Sequence, residues 1–184
     1  MGYSDKFLRA IKFILPHEED FARGHWGDEN YVVAENVSSD GGGVTKYGID
    51  QASHPHVDVA HLTRDQAVAI YAAEWAKYGI EQLPENIAIA QFDVRVNGGH
   101  ATAWLQSALN KCSGANLTVD GDMGPATITA ARNLNPDQER AVLVSFIRQR
   151  DARFQAIATG SRAKFLNGWL QRDRDLEKFL GMRA

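Results

Sequence analysis

The chain has 184 residues, 44% of them hydrophobic and 23% charged, with a formal net charge of -3 at pH 7. That length suffices to bury about two-thirds of the unfolded surface, and the composition is that of an ordinary globule, which excludes a disordered or fibrous chain. No overall basic field exists to attract nucleic acid, and one cysteine, Cys112, excludes an intramolecular disulfide or a cysteine-based zinc site.

In chain order, Phe7, Leu8, Ile11, Ile14 and Leu15 fall on one helical stripe after Ser4, a candidate N-cap, and Pro16 marks an irregularity near the helix end. Lys6, Arg9 and Lys12 interrupt the apolar run, so neither a secretory signal nor a membrane span fits it. The helix leads straight to His17 and Glu18.

From Gly24 to Gly48 glycines bracket two β-favouring runs, Tyr31-Val32-Val33 and Val44-Thr45-Lys46-Tyr47, which predict a small hairpin or irregular sheet. Thr63-Arg64-Asp65-Gln66 is a capping box ahead of a helix over Ala67 to Tyr78, with Gly79 as its stop. Further helices are expected over Glu85 to Arg95, His100 to Asn110, Pro125 to Asn133, Pro136 to Ala158 and Ser161 to Leu180. The chain is therefore mainly α with one small β region near its N-terminus. Lys111 to Gly124 is the best internal boundary, a loop of small and polar residues.

Nucleotide-binding, zinc-protease and serine-hydrolase motifs are all missing, and His54-Pro-His56 is a weak metal candidate without a carboxylate set. No metal or cofactor is expected. The acids are more informative, because glycosidic cleavage needs one carboxylic acid to protonate the leaving oxygen and a second carboxylate on the opposite face. Glu18, at the end of an amphipathic helix, suits the first role. Asp40, opening a glycine-rich turn, suits the second, with the Thr45 hydroxyl holding the water. From the residues alone this pair is one choice among several, since Glu19, Asp20, Asp28, Glu29 and Glu35 are nearby.

The succession His17-Glu18, then Asp40-Gly41-Gly42-Gly43-Val44-Thr45-Lys46-Tyr47-Gly48-Ile49, resembles the N-terminal signature of glycoside hydrolase family 108, N-acetylmuramidases of phage and prophage endolysins. Further segments match in order: Phe92-Asp93, Val96-Asn97-Gly98-Gly99, Ala103-Trp104-Leu105-Gln106, Val119-Asp120-Gly121, Gly124-Pro125-Ala126-Thr127, and Phe165 to Arg172. The family's Glu-Gly-Gly is here Glu18-Glu19-Asp20. The resemblance implies a lysozyme-like fold that cleaves the β-1,4 bond between N-acetylmuramic acid and N-acetylglucosamine. Glu18 carries over as general acid, and Asp40 and Thr45 as the groups that position or activate water. It also implies a catalytic region over 1–96 and a predicted peptidoglycan-binding helical region over 97–184, packed into one compact fold.

Bacterial peptidoglycan is then the expected partner of a monomer made in the host cytoplasm and released to the wall through a holin-type pore. Tyr47, Asn97 and Gly98 are the candidate substrate contacts, the last two with a helix-to-helix turn as their alternative. Trp75 and Trp104, inside amphipathic helices, are expected in the core. Asp120 to Pro125 lacks the full ligand series of a calcium loop and reads as a turn before a helix. Residues 161–184 carry six cations against three acids. They form either a final docked helix or a surface for an anionic membrane or lipopolysaccharide.

Overall fold

The computed structural model describes residues 2–18 and 44–182. Asp40, Glu19 and the Tyr31–Val33 run lie outside the described residues. Two compact units divide the chain, Met1–Lys77 and Tyr78–Ala184.

In the first unit, α1 (Asp5–Glu18) opens as its sequence requires: the Phe7 amide donates to Ser4 Oγ at 3.2 Å, which occupies one of the amides that a helix start leaves without a partner. Phe7, Ala10, Ile11, Phe13, Ile14 and Leu15 form its buried face. Leu8, expected on that stripe, is 46% exposed; Ala10 and Phe13 complete the face in its place. Pro16 falls in the last turn, where the helix is already ending.

The hairpin pairs β1 (Thr45–Lys46) with β2 (Ile49–Asp50), in the register Thr45 opposite Asp50 and Lys46 opposite Ile49. Its turn is Tyr47-Gly48, both at positive φ (53° and 73°), as a two-residue type I′ connection demands. The expected small hairpin is present among the described residues, where the second β-favouring run pairs forward with Ile49–Asp50, because Gly48 takes the left-handed turn at no steric cost. In α2 (Arg64–Lys77) the predicted capping box is present in both directions. The Thr63 amide donates to Gln66 Oε1 at 2.8 Å and the Gln66 amide to Thr63 Oγ1 at 3.3 Å. Trp75 of α2 is buried against Phe7 of α1, their rings 5.6 Å apart and edge-on.

The second unit holds α3 (Glu85–Val96), α4 (Ala101–Ser113), α5 (Pro125–Arg132), α6 (Pro136–Ile157) and α7 (Leu166–Phe179). The motif-based division falls at residue 96, whereas the compact units divide at Lys77, because α3 packs against α4 and α6. The loop after α4 is no linker. Asn110 clamps Leu117 by two hydrogen bonds (2.8 and 2.6 Å), and the whole loop lies within this unit. The last helix begins five residues later than predicted, since Gly160–Phe165 winds as a tighter 3-10 turn. It docks: Trp169 stacks on Phe154 at 5.2 Å, and Asp173 and Leu176 are buried. Among the described residues no helix is long and apolar enough to cross a membrane.

A candidate hydrolase site and a buried charge network

Glu18 is the last residue of α1 and is half-buried. Its carboxylate reaches the hairpin turn: a Cβ placed on Gly48 would lie 2.6 Å from Glu18 Oε2 and 2.8 Å from the Tyr71 hydroxyl. The absence of a side chain at Gly48 is therefore what lets Glu18 and Tyr71 converge. Tyr71, buried on α2, donates its hydroxyl to the Tyr47 carbonyl at 2.7 Å. That bond anchors a non-glycine residue in the left-handed region, a conformation that costs about 1–2 kcal/mol and is commonest where function over-determines the backbone. His17, beside Glu18, turns back so that its Nδ1 lies 2.8 Å from the Phe13 carbonyl.

Thr45 is half-buried on β1, across from Asp50. Burial pushes the Asp50 carboxyl up, but hydrogen bonds from Ser53 and the charge of His54 outweigh it and hold the group below the usual carboxylate range. Its Oδ1 accepts the Ser53 amide at 2.8 Å, so Asp50 organises the loop after β2. Tyr47 is buried, 6% exposed, and its ring lies 5.6 Å from Lys46 Nζ. The structure thus brings Glu18 together with the hairpin that carries Thr45 and Tyr47. Sequence pattern assigns neither Gly48 nor Tyr71 to this site. Gly48 stood inside the quoted signature and signalled itself as a turn glycine; nothing in the sequence marked Tyr71, a helix residue 23 positions further on.

Asn97 and Gly98 belong to the second unit, where they end α3 in a Schellman motif. The Gly98 amide donates to the Arg95 carbonyl at 3.1 Å and the Gly99 amide to the Val94 carbonyl at 3.0 Å, with Gly98 at φ +74°. A Cβ on Gly99 would lie 2.5 Å from Val94 Cγ1 and 2.9 Å from Trp104 Cζ3, so only glycine fits there. With its side-chain amide turned so that oxygen faces Arg172, Asn97 accepts from the guanidinium at 2.7 Å.

The same guanidinium enters a buried network. Arg172 Nη2 reaches Asp93 Oδ1 at 2.7 Å, and Arg150 Nη1 reaches Asp93 Oδ2 at 2.6 Å; Arg150 also pairs with Asp173. Burial pushes Asp93 up, yet Arg172 and Arg150 outweigh it and hold its carboxyl below the ordinary range. Asp173 goes the other way: burial dominates over Arg150, the neighbouring Asp151 adds to it, and the carboxyl is pushed up to about 7. A second cluster centres on Gln106. Its amide nitrogen donates to Asp120 Oδ1 (2.7 Å), the Asp122 carbonyl (3.0 Å) and Thr127 Oγ1 (3.2 Å), while its oxygen accepts the Gly121 amide at 2.9 Å. The Asp120 turn is structural, as its sequence suggested, and it is pinned to α4 ahead of α5. Trp104 of α4 is half-buried, 5.8 Å from the His100 ring. Among the described residues no three His, Cys, Asp or Glu side chains gather to hold a metal ion.

A mainly helical fold with a small antiparallel hairpin near the N-terminus is lysozyme-like. Residues 30–99 match the family model Glycosyl hydrolase 108, and residues 100–174 match Predicted Peptidoglycan domain. A glycosyl hydrolase 108 segment is thus followed directly by a peptidoglycan domain. The protein is accordingly a glycoside hydrolase directed at peptidoglycan. A solved structure of Brucella abortus SagA shares the fold, with a TM-score of 0.67 and 22% identity over 95% of this chain and 92% of that one. No curated protein matches in sequence.

Proposed function

We propose that the protein is an N-acetylmuramidase of the endolysin type, cleaving the β-1,4 bond between N-acetylmuramic acid and N-acetylglucosamine. The observation that carries this reading is the lodging of the Glu18 carboxylate against the side-chain-free Gly48, inside the segment that holds Thr45. A rigid helix aims the acid, and the bare turn leaves room for a sugar to approach it closely. Glu18 donates its proton to the glycosidic oxygen. Asp40 and the Thr45 hydroxyl position or activate the attacking water. Tyr47, Asn97 and Gly98 are proposed as substrate-side residues, Tyr47 through the turn it shapes. The two remaining proposals are that the enzyme works as a monomer on the wall after holin-type release, and that the basic residues of 161–184 meet anionic membrane or lipopolysaccharide.

Mass spectrometry of digested peptidoglycan tests the bond. Reducing muramic acid ends are expected. Anhydro-muramyl ends would mean a transglycosylase route, reducing N-acetylglucosamine ends the other glycosidic bond, and no release of fragments a binding module without turnover; each of these overturns the reading.

A further inference from the structure

Within the second unit, α4 and α6 flank a groove of about 620 Å³, a volume in the range of small-ligand sites. Its charge is one-sided. Lys111, Arg140 and Arg148 line it against one acid, Asp137, on a chain that is negative overall. Neither Lys111 nor Arg148 makes an ion pair with another described residue. Arg140 is held in place, its Nη2 donating to the Met182 carbonyl at 2.6 Å, so one cation is already ordered before any ligand arrives. Cys112, Ala141 and Val144 give it small apolar side chains beside Ser107, Ser145 and Gln149, and its lining holds no aromatic ring for a sugar to stack on. Every residue named lies between 100 and 174, apart from the carbonyl of Met182.

We infer that this groove is a binding site for the carboxylate-bearing stem peptide of peptidoglycan. The inference rests on the reading that peptidoglycan is the partner, and it deepens that reading by assigning the stem peptide to the groove between α4 and α6. Three cations match a short peptide with several free carboxylates, charge-assisted contacts being the stronger kind of hydrogen bond. Small aliphatic side chains accommodate alanyl methyls. An amidated, neutral peptide has nothing to offer the cations.

The test is fluorescence anisotropy on the full chain with labelled L-alanyl-γ-D-glutamyl-diaminopimelic acid as the probe. Binding is expected, weakened about tenfold by Lys111→Glu together with Arg148→Glu, the worth of two exposed charge contacts. It is also expected to be lost on amidation of the peptide carboxyls. Lys111→Gln with Arg148→Gln provides a milder pair, and an unchanged circular-dichroism spectrum verifies folding of both. Equal binding of the amidated peptide, or unchanged binding by the folded variants, overturns the inference. So does binding of lipopolysaccharide micelles, but not of the peptide, that depends on the same two cations. Cleavage of purified wall material is scored separately. Peptide binding without cleavage defeats the hydrolase reading and leaves the groove standing; cleavage without peptide binding defeats the groove alone.

Discussion

The carboxylate of Glu18 occupies the space that a side chain at Gly48 would need, with Oε2 only 2.6 Å from the point where a Cβ would stand. Two segments 30 residues apart are thereby made to depend on each other. The helix can end in an acid at this spot only because the hairpin turn is bare.

Gly48→Ala tests that dependence. Alanine at φ +73° costs about 1–2 kcal/mol of backbone strain, and its methyl must also displace Glu18 and the Tyr71 hydroxyl. A displacement of about 1 Å at a reacting group lowers rate roughly 100-fold. Turnover of purified peptidoglycan should fall by at least that much, while thermal denaturation shows a folded protein with a modestly lowered Tm. Full activity would separate Glu18 from the chemistry.

Glu18→Gln keeps the shape and removes the proton. Loss of a general acid lowers turnover by about 100- to 10,000-fold, with the circular-dichroism spectrum unchanged. Activity that survives here and vanishes in Glu19→Gln would move the acid by one position. Tyr71→Phe is the companion variant: it leaves the Tyr47 carbonyl without its buried donor, at a cost of about 1–3 kcal/mol. It should lower stability and turnover together.

Asp40 precedes the hairpin in sequence and Asp50 ends β2, and the two acids are expected to part company on substitution. Asp50 is engaged with the Ser53 amide at 2.8 Å, a loop-organising role, so Asp50→Asn should retain most of the activity. Asp40→Asn should abolish it, if Asp40 is the second carboxylate. Steady-state turnover of both variants decides the assignment, and the reverse pattern would make Asp50 the catalytic partner of Glu18.

Much of the fold is legible in the sequence, and the reasons differ from place to place. The Ser4 cap, the Thr63–Gln66 box and the α1 stripe follow from local chemistry and came out as read, apart from Leu8. The ordered matches after Phe92 were visible as motifs but not as interactions. Gln106 and the Asp120 and Thr127 segments prove to be one hydrogen-bonded staple, and Asp93 and Arg172 one ion pair, spanning 79 residues. Sequence spacing carries no information about such pairs, because tertiary packing alone brings them together. Tyr71 was invisible for the same reason. Arg150 gave no signal either: a charged residue in the middle of a long helix reads as solvated, yet it is 1% exposed.

Asp93 and Arg150 therefore make a stability prediction. Asp93→Ala removes the acceptor that Arg150 and Arg172 share and leaves buried Arg150 with Asp173 alone, and breaking one side of a buried ion pair costs about 3–5 kcal/mol. Urea denaturation should show a loss of that order. Arg172 is more accessible, and Arg172→Ala should cost less, since the buried Asp93 keeps Arg150 as its partner.

The same network sets how stability responds to pH. The Asp173 carboxyl is pushed up to about 7, above its value in the unfolded chain, so the folded state binds the extra proton across the window from about 4 to about 7. Its contribution is fully present below the unfolded value and is lost as pH rises through about 7. Asp93 has the opposite sign: held low by Arg172 and Arg150 against its burial, it stabilises above its unfolded value and ceases to as pH falls through its folded one. Together they place the most stable condition on the acid side of neutrality, between the two transitions. The groups that face Asp173 are Arg150 and Asp151, both on α6. Replacing the titrating carboxyl by an amide in Asp173→Asn should flatten the fall in Tm between pH 5 and pH 8. An unchanged slope would assign the pH response to other groups; a steeper one would mean that the ionised Asp173, paired with Arg150, is the stabilising form.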